Sequence, residues 1–288
     1  MARIAYVNGA YVPLADAEVN IEDRGYQLAD GIYEVVLFID GRFWDLDGHL
    51  ARWSRSLSAL SMTPPMSERA LRVVMKNMIV KNRLKDCYIY MQATRGVAPR
   101  NHAFPAAGTR PSIVMTAKPV DLAKLDASAA KGASAITTPD IRWGRVDIKS
   151  IGLLPNALAK EKAKQAGALE AWLVRDGKVT EGSSSNAWIV DAAGTLVTHP
   201  KGNEILGGIT RETTIKVAEG FQIKVVERAF SIEEACKARE AFITSAMNLV
   251  TPITSIDGHK IGDGQPGPVA MRLRRGYVDY NAGRAPRP

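Results

Sequence analysis

Lys149 sits in Asp147-Ile148-Lys149-Ser150, directly after the apolar, aromatic and arginine-rich run Ile141-Arg142-Trp143-Gly144-Arg145-Val146. Desolvation and neighbouring cations depress an amine's pKa, which is how a lysine becomes a Schiff-base nucleophile at neutral pH. The competing reading is a strand end whose arginines point to water. Downstream, Glu181 precedes Gly182-Ser183-Ser184-Ser185-Asn186. A carboxylate aimed at a pyridine nitrogen keeps that nitrogen protonated, so the ring can take up a carbanion's electrons. The small hydroxyl residues after it could hold a ring and an anion. Otherwise Glu181 is an exposed hairpin acid and the serines are turn formers.

A third segment, Gly207-Gly208-Ile209-Thr210-Arg211-Glu212-Thr213, reads as a phosphate cradle at the start of a helix. Glycines let backbone approach an anion closely, and the N–H groups of a helix N-terminus favour phosphate. Thr210 is expected to be both N-cap and phosphate ligand; an ordinary capped helix is the plainer reading. Arg52, in His49-Leu50-Ala51-Arg52, has a planar fork that suits a phosphate, or it lies on a helix surface. Finally, Arg100 and His102 stand two apart in a loop bounded by Gly96 and Pro105, where two donors could converge on one substrate carboxylate. Amine, carboxylate and phosphate site together are what pyridoxal phosphate needs.

The elements that must position these groups follow from turns and periodicity. Asn8-Gly9 separates apolar runs at Ile4–Val7 and Tyr11–Leu14, and Asp40-Gly41 separates Ile32–Ile39 from Arg42–Leu46. Both dipeptides accept the positive φ of a tight hairpin turn, as does Asp176-Gly177. Apolar stripes at Leu50, Trp53, Leu57, Leu60 and at Leu71, Val74, Met75, Met78 predict two helices, the second capped by Ser67. Strands are expected at Cys87–Thr94, Ser112–Ala117, Ala133–Thr138, Ala171–Val174, Ala187–Val190, Ile223–Val226 and Ala241–Thr244. Further helices are expected at Pro155–Ala166, Thr210–Glu219 and Ile232–Ala238, the last opened by the capping box at Ser231. The sum is an α+β protein of two domains: residues 1–120, a linker at 121–132, and a mixed barrel-like domain over 133–288.

With 288 residues, 46% of them apolar, the chain can bury a substantial core. No apolar run reaches the roughly 20 residues of a membrane span, and the N-terminus has no signal-peptide architecture. Two cysteines, Cys87 and Cys236, set no disulfide framework and no metal spacing, so a cytoplasmic setting is expected with no metal. The net charge of +8 is spread along the chain and suits binding of phosphate and carboxylates better than nucleic acid. The densest cluster, Arg272, Arg274 and Arg275, is expected to be the solvated face of a helix that turns Leu273, Tyr277 and Tyr280 inward.

Arg24-Gly25-Tyr26-Gln27, Asp30-Gly31-Ile32-Tyr33-Glu34-Val35, Asp147-Ile148-Lys149-Ser150, Glu181-Gly182-Ser183-Ser184-Ser185-Asn186 and Gly208-Ile209-Thr210-Arg211 together resemble the class IV (fold-type IV) pyridoxal-phosphate aminotransferases. The resemblance runs from Tyr6 to about Gly264. It implies a smaller N-terminal domain, a larger C-terminal barrel-like domain, Lys149 as the Schiff-base lysine and Glu181 as the pyridinium partner. It also implies cofactor contacts from Arg52, Ser184, Ser185, Leu206, Ile209, Thr210, Ser245 and Ala246. Thr94-Arg95-Gly96 and Arg100-Asn101-His102 are most similar to the D-amino-acid aminotransferases within that family.

That likeness implies a substrate-carboxylate trap of Tyr33, Arg100 and His102, lined also by Val35 and Ser183, in a homodimer whose partner subunit supplies the arginine and histidine. The implied reaction moves the amino group of a D-amino acid, of the D-alanine type, to a 2-oxo acid such as 2-oxoglutarate. Two positions depart from that group: Ala246 stands where a phosphate-binding threonine is usual, and Leu37 where a longer polar residue lies near the substrate strand. Branched-chain L-amino-acid aminotransferases, (R)-amine transaminases and aminodeoxychorismate lyases share the cofactor constellation. An anion-binding protein with an inactive site is the alternative outside enzymes.

Overall fold

The computed structural model describes residues 3–284, so Met1 and Ala2, ahead of the first expected strand, lie outside the described residues. The chain divides into two units, the first comprising residues up to Asp121 together with Ile148–Gly152. Its elements are β1 (Ile4–Val7), β2 (Ala10–Pro13), α1 (Arg24–Leu28), β3 (Gly31–Ile39), β4 (Arg42–Phe43), α2 (Leu46–Ala59), α3 (Glu68–Asn82), β5 (Cys87–Thr94) and β6 (Ser112–Pro119). The strands form one antiparallel sheet in the order β2-β1-β6-β5-β3-β4. Asn8 and Asp40 take positive φ with the glycine after each, as their hairpins require. β4 is shorter than expected because Asp45 turns left-handed and Leu46 already opens α2.

The core of this unit joins Ile32, Val36 and Ile89 from the sheet to Leu50, Trp53 and Leu57 of α2 and Met75 and Met78 of α3. Burying such side chains stabilises by roughly 1.5–3 kcal/mol each. Ser67 caps α3 as expected, its hydroxyl accepting from Ala70 N. In β3, residues alternate between faces, so Tyr33 and Val35 share one face while Ile32, Glu34 and Val36 share the other. The segment bearing Lys149, expected inside the second domain, pairs with the start of β3. Lys149 O accepts from Tyr33 N at 3.0 Å, and Ile151 N donates to Gly31 O at 3.1 Å. Those bonds join positions more than a hundred residues apart, which no local periodicity records.

The second unit comprises Leu122–Asp147 and the described residues from Leu153 onward. It contains α4 (Leu122–Lys131), β7 (Ala133–Pro139), α5 (Leu154–Gln165), β8 (Glu170–Arg175), β9 (Lys178–Gly182), β10 (Asn186–Val190), β11 (Leu196–Thr198), α6 (Ile209–Gly220), β12 (Val225–Glu227), α7 (Ile232–Cys236), β13 (Glu240–Ser245), β14 (Leu249–Ile256), β15 (His259–Lys260) and α8 (Pro268–Ala282). The mixed sheet runs β12-β11-β10-β13-β14-β7-β8-β9, with β15 beside β14. It curls on itself, because Val179 N of the edge strand β9 donates to Phe230 O, beyond the opposite edge, at 2.9 Å. Trp172, Val179, Ala187, Ile189, Ile243 and Ile253 fill the inside of that curl.

Two expectations change here. The linker at 121–132 contains α4, whose Leu122, Leu125 and Ala129 keep helical spacing in a run of good helix formers. In α8, Arg274 is buried and is no part of a solvated face: its Nε donates to Asp126 Oδ1 of α4 at 2.9 Å and its Nη1 to Val250 O at 2.8 Å. Arg272 and Arg275 are exposed. No helix among the described residues is long and apolar enough to cross a membrane.

Candidate active site

In the second unit, Glu181 is the penultimate residue of β9, which ends at Gly182. Its carboxylate is buried and held from three sides. Oε1 pairs with Arg142 Nη1, Oε2 accepts from Asn186 Nδ2 at 2.8 Å, and Leu206 N lies 3.1 Å and 3.2 Å from the two oxygens. Arg142 is itself gripped by Asp140 through Nε at 2.9 Å and Nη2 at 2.8 Å. Burial works against its charge, yet the Asp140 and Glu181 carboxylates raise its pKa above the ordinary value. Burial would raise the Asp140 carboxyl, but Arg142 and Thr180 bring it below its usual value. Arg142 therefore does not point to water, whereas Arg145 is exposed and pairs with Asp147 at 2.8 Å at the surface. The result is a fixed carboxylate held by an ion pair and amide donors.

Asn186 links this carboxylate to the cradle. Its Nδ2 also donates to Leu206 O at 2.8 Å, and a Cβ added at Gly208 would lie 2.0 Å from its Oδ1. Gly208, and not Thr210, is the N-cap of α6, and it offers no side-chain acceptor to the first turn. The N–H groups of Ile209 and Thr210 belong to that turn, and both residues are buried. A buried helix start without a capping side chain, closed over by a glycine that tolerates no Cβ, fits a phosphate monoester. Ser245, at the end of β13, accepts from Asn248 N at 3.1 Å, and Ala246 follows in the turn.

The serine run serves a partner that the sequence pattern does not reveal. The hydroxyls of Ser183, Ser184 and Ser185 all donate to the fully buried Glu170 carboxylate at the start of β8, the last two at 3.0 Å and 2.8 Å. Each hydroxyl has one proton to give. With those protons spent on Glu170, the three side chains do not donate to a phosphate or a substrate, and the backbone N–H groups of Ser183 and Ser184 are committed as well, to Ala171 O at 2.8 Å and Glu170 Oε2 at 3.3 Å.

The first unit carries the amine. Lys149 is half-buried, and its Nζ lies 4.1 Å from the centroid of the Tyr33 ring, which stacks on Tyr90 with centroids 5.7 Å apart. Arg52 is not a surface residue: its Nε and Nη2 hold Glu34 at 2.6 Å and 2.8 Å, and His49 Nδ1 joins the same carboxylate at 2.7 Å. Burial raises the Glu34 carboxyl, but Arg52 and then His49 outweigh it and hold the group far below the usual carboxylate range. Val35 shares the Tyr33 face, and Leu37 on that face is buried. Arg100 and His102 are exposed, on the loop between β5 and β6. Glu34, Asp140 and Glu170 carry their own signal only in three dimensions. Arg142, two residues after Asp140, and Asn186, ending the serine run, are visible as motif residues without a role.

A family model for amino-transferase class IV matches residues 31–256. The chain is 41% identical over 267 residues to the D-alanine aminotransferase of Bacillus licheniformis, covering 93% of each. It is 40% identical over 275 residues to that of Staphylococcus haemolyticus, covering 96% of each. Among solved structures, the branched-chain amino acid aminotransferase of Escherichia coli matches with a TM-score of 0.90 and 26% identity, over 99% of this chain and 96% of the other. The branched-chain enzyme of Thermobaculum terrenum, in its PLP-form, matches at 0.83 and 26%, over 99% of this chain and 95% of the other.

Proposed function

This chain belongs to the class IV aminotransferases, and from that premise we propose that it moves the amino group of a D-amino acid to a 2-oxo acid, with pyridoxal 5′-phosphate as cofactor. The observation that carries the D-amino-acid reading is the identity of about two residues in five, along nearly the whole of both chains, with enzymes named for D-alanine. The branched-chain structures share the fold at 26% identity, which does not choose a substrate. The Arg100-Asn101-His102 loop supports the D-amino-acid choice.

When bound, the cofactor supplies an aldehyde that captures the amino group and a ring that accepts the electron pair left as the Cα–H bond breaks. The first-turn N–H groups of Ile209 and Thr210, with Arg52, hold its phosphate. Ser185, Ser245 and Ala246 contribute through backbone, and Leu206 and Ser184 through packing. Glu181, pinned by Arg142 and Asn186, presents a fixed negative charge to the ring nitrogen and keeps that nitrogen's proton in place. Lys149 Nζ removes the proton from the substrate Cα and delivers one on the return half-reaction, acting as base and then acid. The Tyr33 ring orients that amine.

Tyr33, Arg100 and His102 hold the substrate carboxylate, with Val35 and the Ser183 backbone beside it. Arg100 and His102 are exposed on their own chain, next to the exposed Phe104 and in the same unit as the exposed Tyr26 and Ile21. This exposure supports a homodimer in which each chain lends its loop to the other. D-alanine and L-leucine, added separately to the yellow holoenzyme, test the reading. Bleaching of the imine band by D-alanine, with pyruvate appearing when 2-oxoglutarate is supplied, is the expected result, and Lys149→Ala abolishes both. Bleaching by L-leucine alone refutes it.

A further inference from the structure

The loop after β5 is held from beneath by a group of buried charges that the reaction itself does not use. Asp30, the residue before β3, has a side chain 10% exposed and accepts from two arginines. Its Oδ2 takes Arg24 Nε at 2.8 Å and Arg95 Nε at 2.8 Å, and its Oδ1 takes Arg95 Nη2 at 3.0 Å. Arg24 Nη1 goes to the loop backbone, reaching Asn101 O and, at 3.2 Å, Ala103 O. Arg95 stacks its guanidinium on the Phe104 ring, 3.6 Å from Cζ to the centroid, and anchors to the end of α2 through Leu60 O at 2.8 Å. Backbone bonds from Arg24 N to Gly96 O at 2.9 Å and from Arg95 N to Asp30 O at 3.1 Å tie the base of the loop to the same place.

A surface loop with incidental charge has no use for this arrangement. Residues 99–104 form no helix or strand and are exposed, yet two of their carbonyls and the Phe104 ring are each held by a buried guanidinium. Two guanidiniums so placed would repel each other without the carboxylate between them, and neither would be aimed. We propose that Asp30, with Arg24 and Arg95, is the positioning unit for the carboxylate-binding loop, fixing the backbone from which Arg100 and His102 project. A pre-ordered loop does not have to lose conformational freedom when substrate arrives, so the clamp acts on substrate affinity. The inference rests on the carboxylate role given to Arg100 and His102 above.

The test is Asp30→Asn in the holoenzyme, read by hydrogen–deuterium exchange over residues 97–106 and by steady-state kinetics with D-alanine and 2-oxoglutarate. Exchange in that segment is expected to rise about 10-fold. KM for both substrates rises about 10-fold, as for one lost charge-assisted contact, while kcat moves less than about 2-fold. In an Arg100→Ala background the same substitution adds little to KM, because the clamp acts through that side chain. Phe104→Leu, at an exposed site with no risk to the core, shifts exchange and KM in the same direction by less. Unchanged exchange overturns the clamp, and so does an Asp30→Asn effect on KM that persists in full in the Arg100→Ala background when Arg100→Ala by itself raises KM. Faster exchange with a KM indifferent to Arg100→Ala upholds the clamp and overturns the carboxylate reading on which it rests.

Discussion

At the scale of single residues, the second unit spends much of its buried polar chemistry on fixing one carboxylate. Glu181 is legible in the sequence because an acid before a run of small hydroxyl residues is an unusual segment. Its supports are not, since Arg142 lies 39 residues away in sequence and Asn186 offers no periodic signal. The serines look like ligands because hydroxyls do bind anions; the burial of Glu170, which takes their protons, is a tertiary fact. The Arg142–Glu181 pair makes a prediction. Glu181→Gln leaves Arg142 facing an amide instead of a charge, and breaking a buried pair in this way costs about 3 kcal/mol of stability. On the proposed role it also removes the charge that faces the cofactor's ring nitrogen, and turnover is expected to fall about 100-fold, the scale of one lost electrostatic contact. Urea titration and single-turnover absorbance measure the two separately, and a turnover equal to wild type would remove Glu181 from the chemistry.

At the scale of elements, turns and helical stripes are readable because their determinants are local. Asn8-Gly9, Asp40-Gly41 and Asp176-Gly177 all take positive φ where hairpins need it, and Ser67 and Ser231 cap the helices they precede. Local signals fail where a long-range partner decides. The basic stripe of α8 hides Arg274 because Asp126 and two β14-region carbonyls receive it, and residues 122–131 fold as α4, which supplies that aspartate. The start of α6 tolerates little change. A methyl at Gly208 would press on Asn186 Oδ1, which cannot swing away without releasing Glu181 and Leu206. Gly208→Ala is therefore expected to weaken cofactor binding at least about 10-fold under the proposed function, since both the α6 start and Glu181 shift, with a stability loss of about 1–3 kcal/mol. Cofactor titration followed by absorbance checks this; an unchanged dissociation constant would mean that the α6 start holds no phosphate.

At the scale of the whole molecule, two sheets have separate cores, with Lys149 in the first unit and Glu181 and the start of α6 in the second. The α+β class and the pair of sheets follow from composition and turn spacing. The return of Ile148–Gly152 to the first unit depends on backbone bonds to β3 and cannot be read from spacing. Both units bury carboxylates beside guanidinium groups, and this makes acid stability a property of the entire chain. Asp30, Glu34 and Asp140 all have carboxyls below their ordinary values; in each, burial pulls the pKa up and arginine partners pull it down by more. A folded pKa below the unfolded one means that the folded state binds fewer protons. The stability it contributes is then fully present above the unfolded value of about 4 and is lost as pH falls through the folded values. Urea midpoints should accordingly not vary on account of these groups between about pH 5 and 7, and should decline steeply below about pH 4. Asp140→Asn should be less stable than wild type at pH 7, yet lose less on acidification, because one of the carboxylates that must take up a proton is gone. A wild-type midpoint that stayed level down to about pH 3 would show that these buried pairs do not hold their carboxylates ionised.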